Sequence, residues 1–388
     1  MPVKKKSAAK RRPARKPASR ATAKPARKSK PKTPMVKPRA KILGGELPMP
    51  FKTPPEIPPP MQLMQMLTGF MVSRSICAAA ELGIADKLKP GPLYYIDLAK
   101  AIGANQKTLH RLMRALSAIG IFAEPKPGTY ALTALSDLLR SDVPGSMKHL
   151  AEMMTTPSHW LPWGRFDEAI IQGISAADKA LGKDVFSYYA ENPEEGRVFN
   201  AAMSNFSAMS SGAIAKAYDF RNFERIVDVG GGHGFLLSTV LRHAPQARGV
   251  LYDLPQVVQG AGEHFADIKT RVEVMGGDFF KAAPEDGDAY LLKHILHDWD
   301  DERAVKILSH ISAAMQPEGR VLVCELIVPS EPGPHFSHVM DLNMLAMTPG
   351  GCERTEEHFA DLFKAAGLKL AGITATQSPV NVIEAIKA

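Results

Sequence analysis

Cysteine is scarce in this 388-residue chain: three residues, Cys77, Cys324 and Cys352, odd in number and far apart. That excludes a disulfide framework and suits a reducing, cytoplasmic setting. No Cys/His/Asp cluster has metal-ligand spacing, so no metal is expected. No P-loop Gly-Lys-Ser/Thr occurs, which disfavours ATP hydrolysis. No apolar run approaches the roughly 20 residues that span a bilayer, and no apolar stretch of a signal follows the basic N-terminus, so neither a membrane span nor a secretory signal is expected. Acid is missing from residues 1 to 45, which hold 17 Lys and Arg. Subtracting these from 48 leaves 31 basic against 40 acidic residues, a formal charge of −9 on the remainder beneath an overall +8.

That basic segment, residues 1 to 60, also carries 14 of the 31 prolines. Lys, Arg, Ala, Pro and Ser cannot bury enough apolar surface to offset the entropy of ordering, so a disordered tail is expected. It could hold nucleic acid nonspecifically through counterion release, or be a solvated extension with no partner.

The most informative stretch is Ile226 to Trp299. Ile226 to Val229 reads as a buried strand, Gly230-Gly231-Gly232-His233-Gly234 as a sharp turn, and Leu236 to His243 as a helix. This is the opening unit of a nucleotide-type α/β sheet. Gly249 to Asp253 reads as the next strand, with Asp253 standing 21 residues beyond Gly232, where such sheets place the carboxylate that grips a ribose. Val272 to Val274 and Ala289 to Lys293 are further strands, followed by Asp278 and by the run His294 to Trp299. Four strand ends thus bring polar residues to one edge. The glycines follow G-x-G-x-G rather than the dinucleotide G-x-G-x-x-G. A ligand with adenine and ribose but no phosphate fits better, S-adenosylmethionine being the common one.

Val227 to Gly232, Tyr252 to Pro255, Gly277 to Phe280, Lys293 to Trp299, Cys324-Glu325 and Pro349 to Thr355 together resemble the caffeate/acetylserotonin-type O-methyltransferase family. The pieces come in family order and the resemblance covers about residues 61 to 388. It implies an α/β fold: a Rossmann-like class I methyltransferase sheet, residues 146–388, behind an N-terminal all-α winged-helix dimerisation domain, residues 61–145. Cofactor contacts are implied for Asp228, Gly230, Gly232, Asp253, Leu254, Asp278, Phe279 and Lys293. A helical segment, 146–220, is implied to wall the substrate pocket, with Phe199, Met203, Asp298 and Met344 as substrate contacts. Glu195 stands where plant members carry an aromatic, so the plant substrate does not transfer.

The winged-helix reading also rests on the residues. Leu63, Met66, Leu67, Phe70 and Met71 mark one helix face, Ile96 to Ile102 and Gln106 to Ala118 flank Gly103, and a hairpin is expected around Pro127-Gly128. Lys107, His110, Arg111 and Arg114 make the second helix basic, which keeps a DNA-reading alternative open beside the homodimer the resemblance implies. Trp160, Trp163 and Phe166 are expected to cluster.

For the chemistry, a phenol of pKa near 10 lacks about 4 kcal/mol of ionisation at pH 7, and a positioned histidine is the usual base. His297 is the candidate, with Glu325 and Glu353 matching the family's two orienting acids. His294, three residues earlier, is expected to pack or point away, and His233 to be a local substitution near the cofactor. The expected function is methyl transfer to a hydroxyl of a small, aromatic or related acceptor. The alternative is a DNA-binding regulator that retains the cofactor fold.

Overall fold

The computed structural model describes residues 57–388. The tail expected over 1–60 lies outside the described residues except for its last four, of which Pro59 and Pro60 already open a helix.

That helix, Pro59–Leu67, is followed by Gly69–Glu81. They part at Thr68, whose hydroxyl donates back to Met64 O at 2.8 Å and competes with the helical ladder. Gly83, at φ +63°, ends the second helix as expected. Tyr95–Ile102 and Gln106–Ala118 form the helix-turn-helix. Gly103 supplies the left-handed residue between them, and Asn105 caps the second by accepting from Lys107 N and Thr108 N. Leu109, Met113 and Leu116 share one face and pack on Ile84, Leu98 and Ala99. The wing holds strands β1 Leu93–Tyr94, β2 Phe122–Lys126 and β3 Thr129–Leu132, in the antiparallel order β1-β3-β2. His110, one of the four basic-face residues, is engaged internally. Its Nδ1 lies 2.9 Å from Tyr130 Oη and its ring packs on Tyr95 at 4.5 Å.

The first two helices are different. Met61, Leu63, Met64, Leu67, Phe70 and Met71 are each more than half exposed. Together Pro59–Glu81 make a 23-residue helical stretch of mean hydropathy 1.2, long and apolar enough by length and composition to cross a membrane. The expectation of no such run is corrected here: Gln62, Gln65, Thr68, Ser73, Arg74 and Ser75 interrupt it in sequence, yet the average passes.

Residues 146 to 220 are mostly helical, ending in the long helix Pro193–Ala217. Seven strands follow: β4 Arg225–Val229, β5 Arg248–Asp253, β6 Val272–Gly276, β7 Ala289–Lys293, β8 Arg320–Glu325, β9 Leu368–Ala375 and β10 Asn381–Lys387. Their order is β6-β5-β4-β7-β8-β10-β9, and β10 alone runs against the others. The chain moves outward from β4 to β6, then returns to place β7 on the other side of β4. That reversal opens a crevice at the strands' carboxyl ends.

Alternation along the strands makes two cores. Val227, Val229, Tyr290, Leu292, Val321 and Val323 face the helices Asp301–Ala314 and Glu356–Ala365. Ile226, Leu251, Leu291, Leu322 and Val382 face Phe235–His243 and the end of Pro193–Ala217. Burial on both sides explains the unbroken apolar runs of β7 and β8. Each fully buried Leu, Ile or Val contributes about 1.5–3 kcal/mol.

Candidate active site

The turn after β4 approaches its neighbours as closely as backbone allows. Gly230 and Gly234 have φ of +68° and +82°, and a Cβ at either would collide, with Ile295 and with Phe265 respectively. Only glycine meets both demands. The turn is tied to the end of β5: Asp253 Oδ2 accepts from Gly232 N at 2.8 Å and Oδ1 from Leu254 N at 2.6 Å. Burial raises the Asp253 carboxyl, and those two amides partly offset it. Phe279 closes over the same turn, its ring 3.6 Å from the Cβ position of Gly230. Asp278 Oδ1 accepts from Phe280 N at 2.9 Å. Leu254 stays partly exposed at the rim. His233 packs its ring against Gly260, so it is a local fitting beside the turn.

Behind the turn, Asp228 is buried with Oδ2 unpartnered, and burial pushes its carboxyl up to about 7. Lys293 Nζ donates to Ser207 Oγ at 2.8 Å, and burial pulls its ammonium down to about 8. A cradle that any side chain would fill, a carboxylate at the second strand end and an orphaned buried acid fit an adenosyl group.

His297 follows β7 in a short 3-10 turn, Leu296–Asp298. Its two acids divide the work. Glu353 Oε1 lies 2.9 Å from the ring's Nδ1. Glu325, at the end of β8, instead holds the backbone: its Oε1 accepts from the amides of Ile295, Leu296 and His297 at 3.0, 2.7 and 3.3 Å. Both acids are buried. Gly351 lets the loop carrying Glu353 come this near, since a Cβ there would strike the His297 carbonyl. Asp298 Oδ1 is 3.6 Å from Nε2, beyond hydrogen-bond reach. Burial favours the neutral imidazole, but the charges of Glu353 and Asp298 win and raise His297 to about 10. Burial likewise raises Asp298 to about 7.

Arg354, fully buried, locks this loop from below. It donates to Leu296 O and Trp299 O, both at 2.7 Å, and to Asp301 Oδ1. Arg354 falls within the Pro349 to Thr355 motif, but nothing in the sequence marks it as buried.

His297 also lines an apolar cavity of about 240 Å³. Phe206, Met209 and Ser210 form one wall, Phe336 and Met340 a second, and Leu326 with Gln377 to Val380 the rest. The expected contacts sit elsewhere. Phe199 stacks on Tyr189 at 4.7 Å, Met203 is half-buried on the same helix, and Met344 is buried one turn beyond Met340. Glu195 accepts from Ser158 N and Tyr188 Oη at 3.0 Å each, a bracing role between helices. Trp163 stacks on Phe166 at 4.9 Å, while Trp160 is 41% exposed.

His294 takes the packed one of its two expected placements, and does so on the cavity itself: it lines the same cavity, its ring 5.0 Å from that of His297 and 5.5 Å from that of Phe206. Both its ring nitrogens are buried and unpartnered, and its φ is +54°. Unsatisfied buried groups cost about 1–3 kcal/mol each and a left-handed non-glycine about as much again. Burial, then Lys293 and His297, hold its pKa well below that of an ordinary imidazole.

Known proteins resemble this arrangement. Residues 163–369 match the family model of the O-methyltransferase domain, and residues 64–142 that of the O-methyltransferase dimerisation domain. A phenazine O-methyltransferase of Lysobacter antibioticus is 40% identical over 325 residues, 83% of this chain and 95% of that one. The phenazine-1-carboxylate N-methyltransferase of Pseudomonas aeruginosa is 35% identical over 329 residues, 84% of this chain and 97% of that one. Human N-acetylserotonin methyltransferase, solved in complex with S-adenosylmethionine, superposes with a TM-score of 0.80 at 28% identity, covering 87% of this chain and 100% of that one. The chain therefore belongs to the O-methyltransferase family and is an S-adenosylmethionine-dependent methyltransferase with that family's dimerisation domain.

Proposed function

We propose that the chain transfers a methyl group to a hydroxyl of a small aromatic secondary metabolite, with His297 as general base. The observation that carries this reading is the His297–Glu353 pair at 2.9 Å beside an apolar cavity. S-adenosylmethionine supplies an electrophilic methyl. The chain's own work is to hold the acceptor in line and take its proton. Relatives include O- and N-methyltransferases. A neutral ring nitrogen offers a lone pair and needs no base; a hydroxyl does, and a buttressed imidazole favours the hydroxyl.

Glu353 fixes the ring tautomer by accepting from Nδ1–H, leaving Nε2 to accept the hydroxyl proton. An imidazole raised to about 10 is, once neutral, a base matched to a phenol of similar pKa, and that neutral form grows as pH rises towards 10. Alignment in the closed crevice is worth up to about 7–11 kcal/mol. Asp228, Gly230, Gly232, Asp253, Leu254, Asp278, Phe279 and Lys293 hold the cofactor. Phe199, Met203 and Met344 shape the acceptor's surroundings without lining the cavity, and Asp298 does so from beside Nε2 of His297.

The exposed apolar face of Pro59–Glu81 is covered by a second copy, giving a homodimer. Residues 61–145 are then the dimerisation unit and 146–388 the catalytic one. The deciding experiment measures methyl transfer from S-adenosylmethionine to a panel of phenols and matched ring-nitrogen compounds. Transfer to nitrogen only would overturn the reading.

A further inference from the structure

His294 is unused by the mechanism above, yet it is the most anomalous side chain in the site. Its backbone is left-handed, both ring nitrogens lack partners, and it lies between the rings of Phe206 and His297. Ser210 Oγ, on the same cavity, is likewise buried without a partner. Strain and orphaned polar atoms persist where the surroundings enforce them, and ligand sites are where they gather. None of the residues assigned to the cofactor lines this cavity, so its occupant is the acceptor. A dry cavity of about 150 Å³ holds one benzene ring. At about 240 Å³ this one suits two fused rings.

We propose that His294 is the acceptor's specificity residue: its ring, whose nitrogens are buried where it packs on the cavity, turns to donate an N–H to an atom beside the reacting hydroxyl. The acceptor class follows. It is a fused bicyclic phenol with a hydrogen-bond-accepting atom, a carbonyl oxygen or ring nitrogen, ortho or peri to the hydroxyl. The two imidazoles then share one substrate edge, His297 facing the hydroxyl and His294 its neighbour. Either neutral tautomer of His294 carries one N–H, and the low basicity described above keeps the ring neutral. Ser210 adds a second hydroxyl donor on the same side.

This inference rests on the proposed methyltransferase reading, and its test separates the two. The probes are 8-hydroxyquinoline and 1-naphthol, which share shape and hydroxyl and differ by a peri ring nitrogen against C–H. Their affinities are measured by calorimetry on the full chain saturated with S-adenosylhomocysteine, without turnover. The wild-type protein should prefer 8-hydroxyquinoline by about 5- to 10-fold, the size of one net hydrogen bond. His294→Phe, which keeps a ring and removes the donor, should bring that ratio to about one. His294→Asn, a residue that tolerates positive φ and keeps an N–H, should retain part of it. Equal wild-type affinities, failure of 8-hydroxyquinoline to bind, or a ratio unmoved in His294→Phe would each overturn the proposal. Failure to bind S-adenosylhomocysteine would instead sink the enzymatic reading itself.

Discussion

Glu353 Oε1 and His297 Nδ1 lie 2.9 Å apart across a loop junction that only glycine at 351 permits. Because that carboxylate sets the imidazole's basicity, the pair governs pH dependence. On the proposed mechanism the neutral ring is the active base, and with its pKa raised to about 10 it is mostly protonated at pH 7. The kcat/KM of the free enzyme should rise with pH from 7 towards 10. In Glu353→Gln the largest of the raising charges is gone while those of Asp298 and Glu325 stay, so the limb should move part of the way to lower pH while the plateau falls. An unmoved midpoint would detach Glu353 from the base.

His297→Ala removes the proposed proton acceptor and should leave the turn after β4 intact. Methyl transfer should fall about 10²- to 10⁴-fold, the usual worth of a general base. Affinity for S-adenosylhomocysteine, read by calorimetry, should change by less than about threefold. Unchanged turnover would remove His297 from the mechanism.

Asp253 does two things at once, pinning Gly232 N and Leu254 N. Asp253→Ala should weaken S-adenosylmethionine binding by about 10- to 100-fold, from lost ribose contact and a loosened turn. Titration giving wild-type affinity would contradict the assignment.

Arg354→Met strips the Leu296 and Trp299 carbonyls of their buried donor. Stability should fall by about 2–4 kcal/mol. That lowers Tm by roughly 3–6 °C for a chain of this size. A thermal scan showing no shift would mean that water or another donor replaces the guanidinium.

Charges on the exposed N-terminal face should break the dimer. Leu63→Glu with Phe70→Glu should shift the sedimenting species from about 84 to about 42 kDa, the second figure being the chain mass. A wild-type protein that sediments as a monomer would refute the proposed homodimer.

Much of this molecule is readable before folding. Strands β4 to β8 are runs of branched apolar residues ended by Gly or a charged residue, and the helix Gln106–Ala118 falls where Leu109, Leu112, Met113 and Leu116 recur. The positions of His297, Glu325 and Glu353 also follow from motifs. What the string hides is direction. Glu325 and Glu353 look equivalent, yet one grips amides and the other a ring, because β8 and the Gly351 loop deliver them from different sides. His294 looks like packing because its left-handed backbone and empty ring nitrogens depend on what surrounds it. Strands β9 and β10 escaped because the alternation in Asn381–Lys387 is weak, its residues being buried on both faces.

The reversed strand β10 has a consequence for how the protein is made. It sits between β8 and β9, so the strand that follows all the others of this sheet along the described residues is an interior one. Until residues 381 to 387 emerge, β8 presents a bare apolar edge, and the Gln377 to Val380 wall has nothing to anchor it. A nascent chain holding every motif residue but not yet residues 381 to 387 would still lack a finished pocket, so β10 must slot between its two neighbours before the cavity has all its walls.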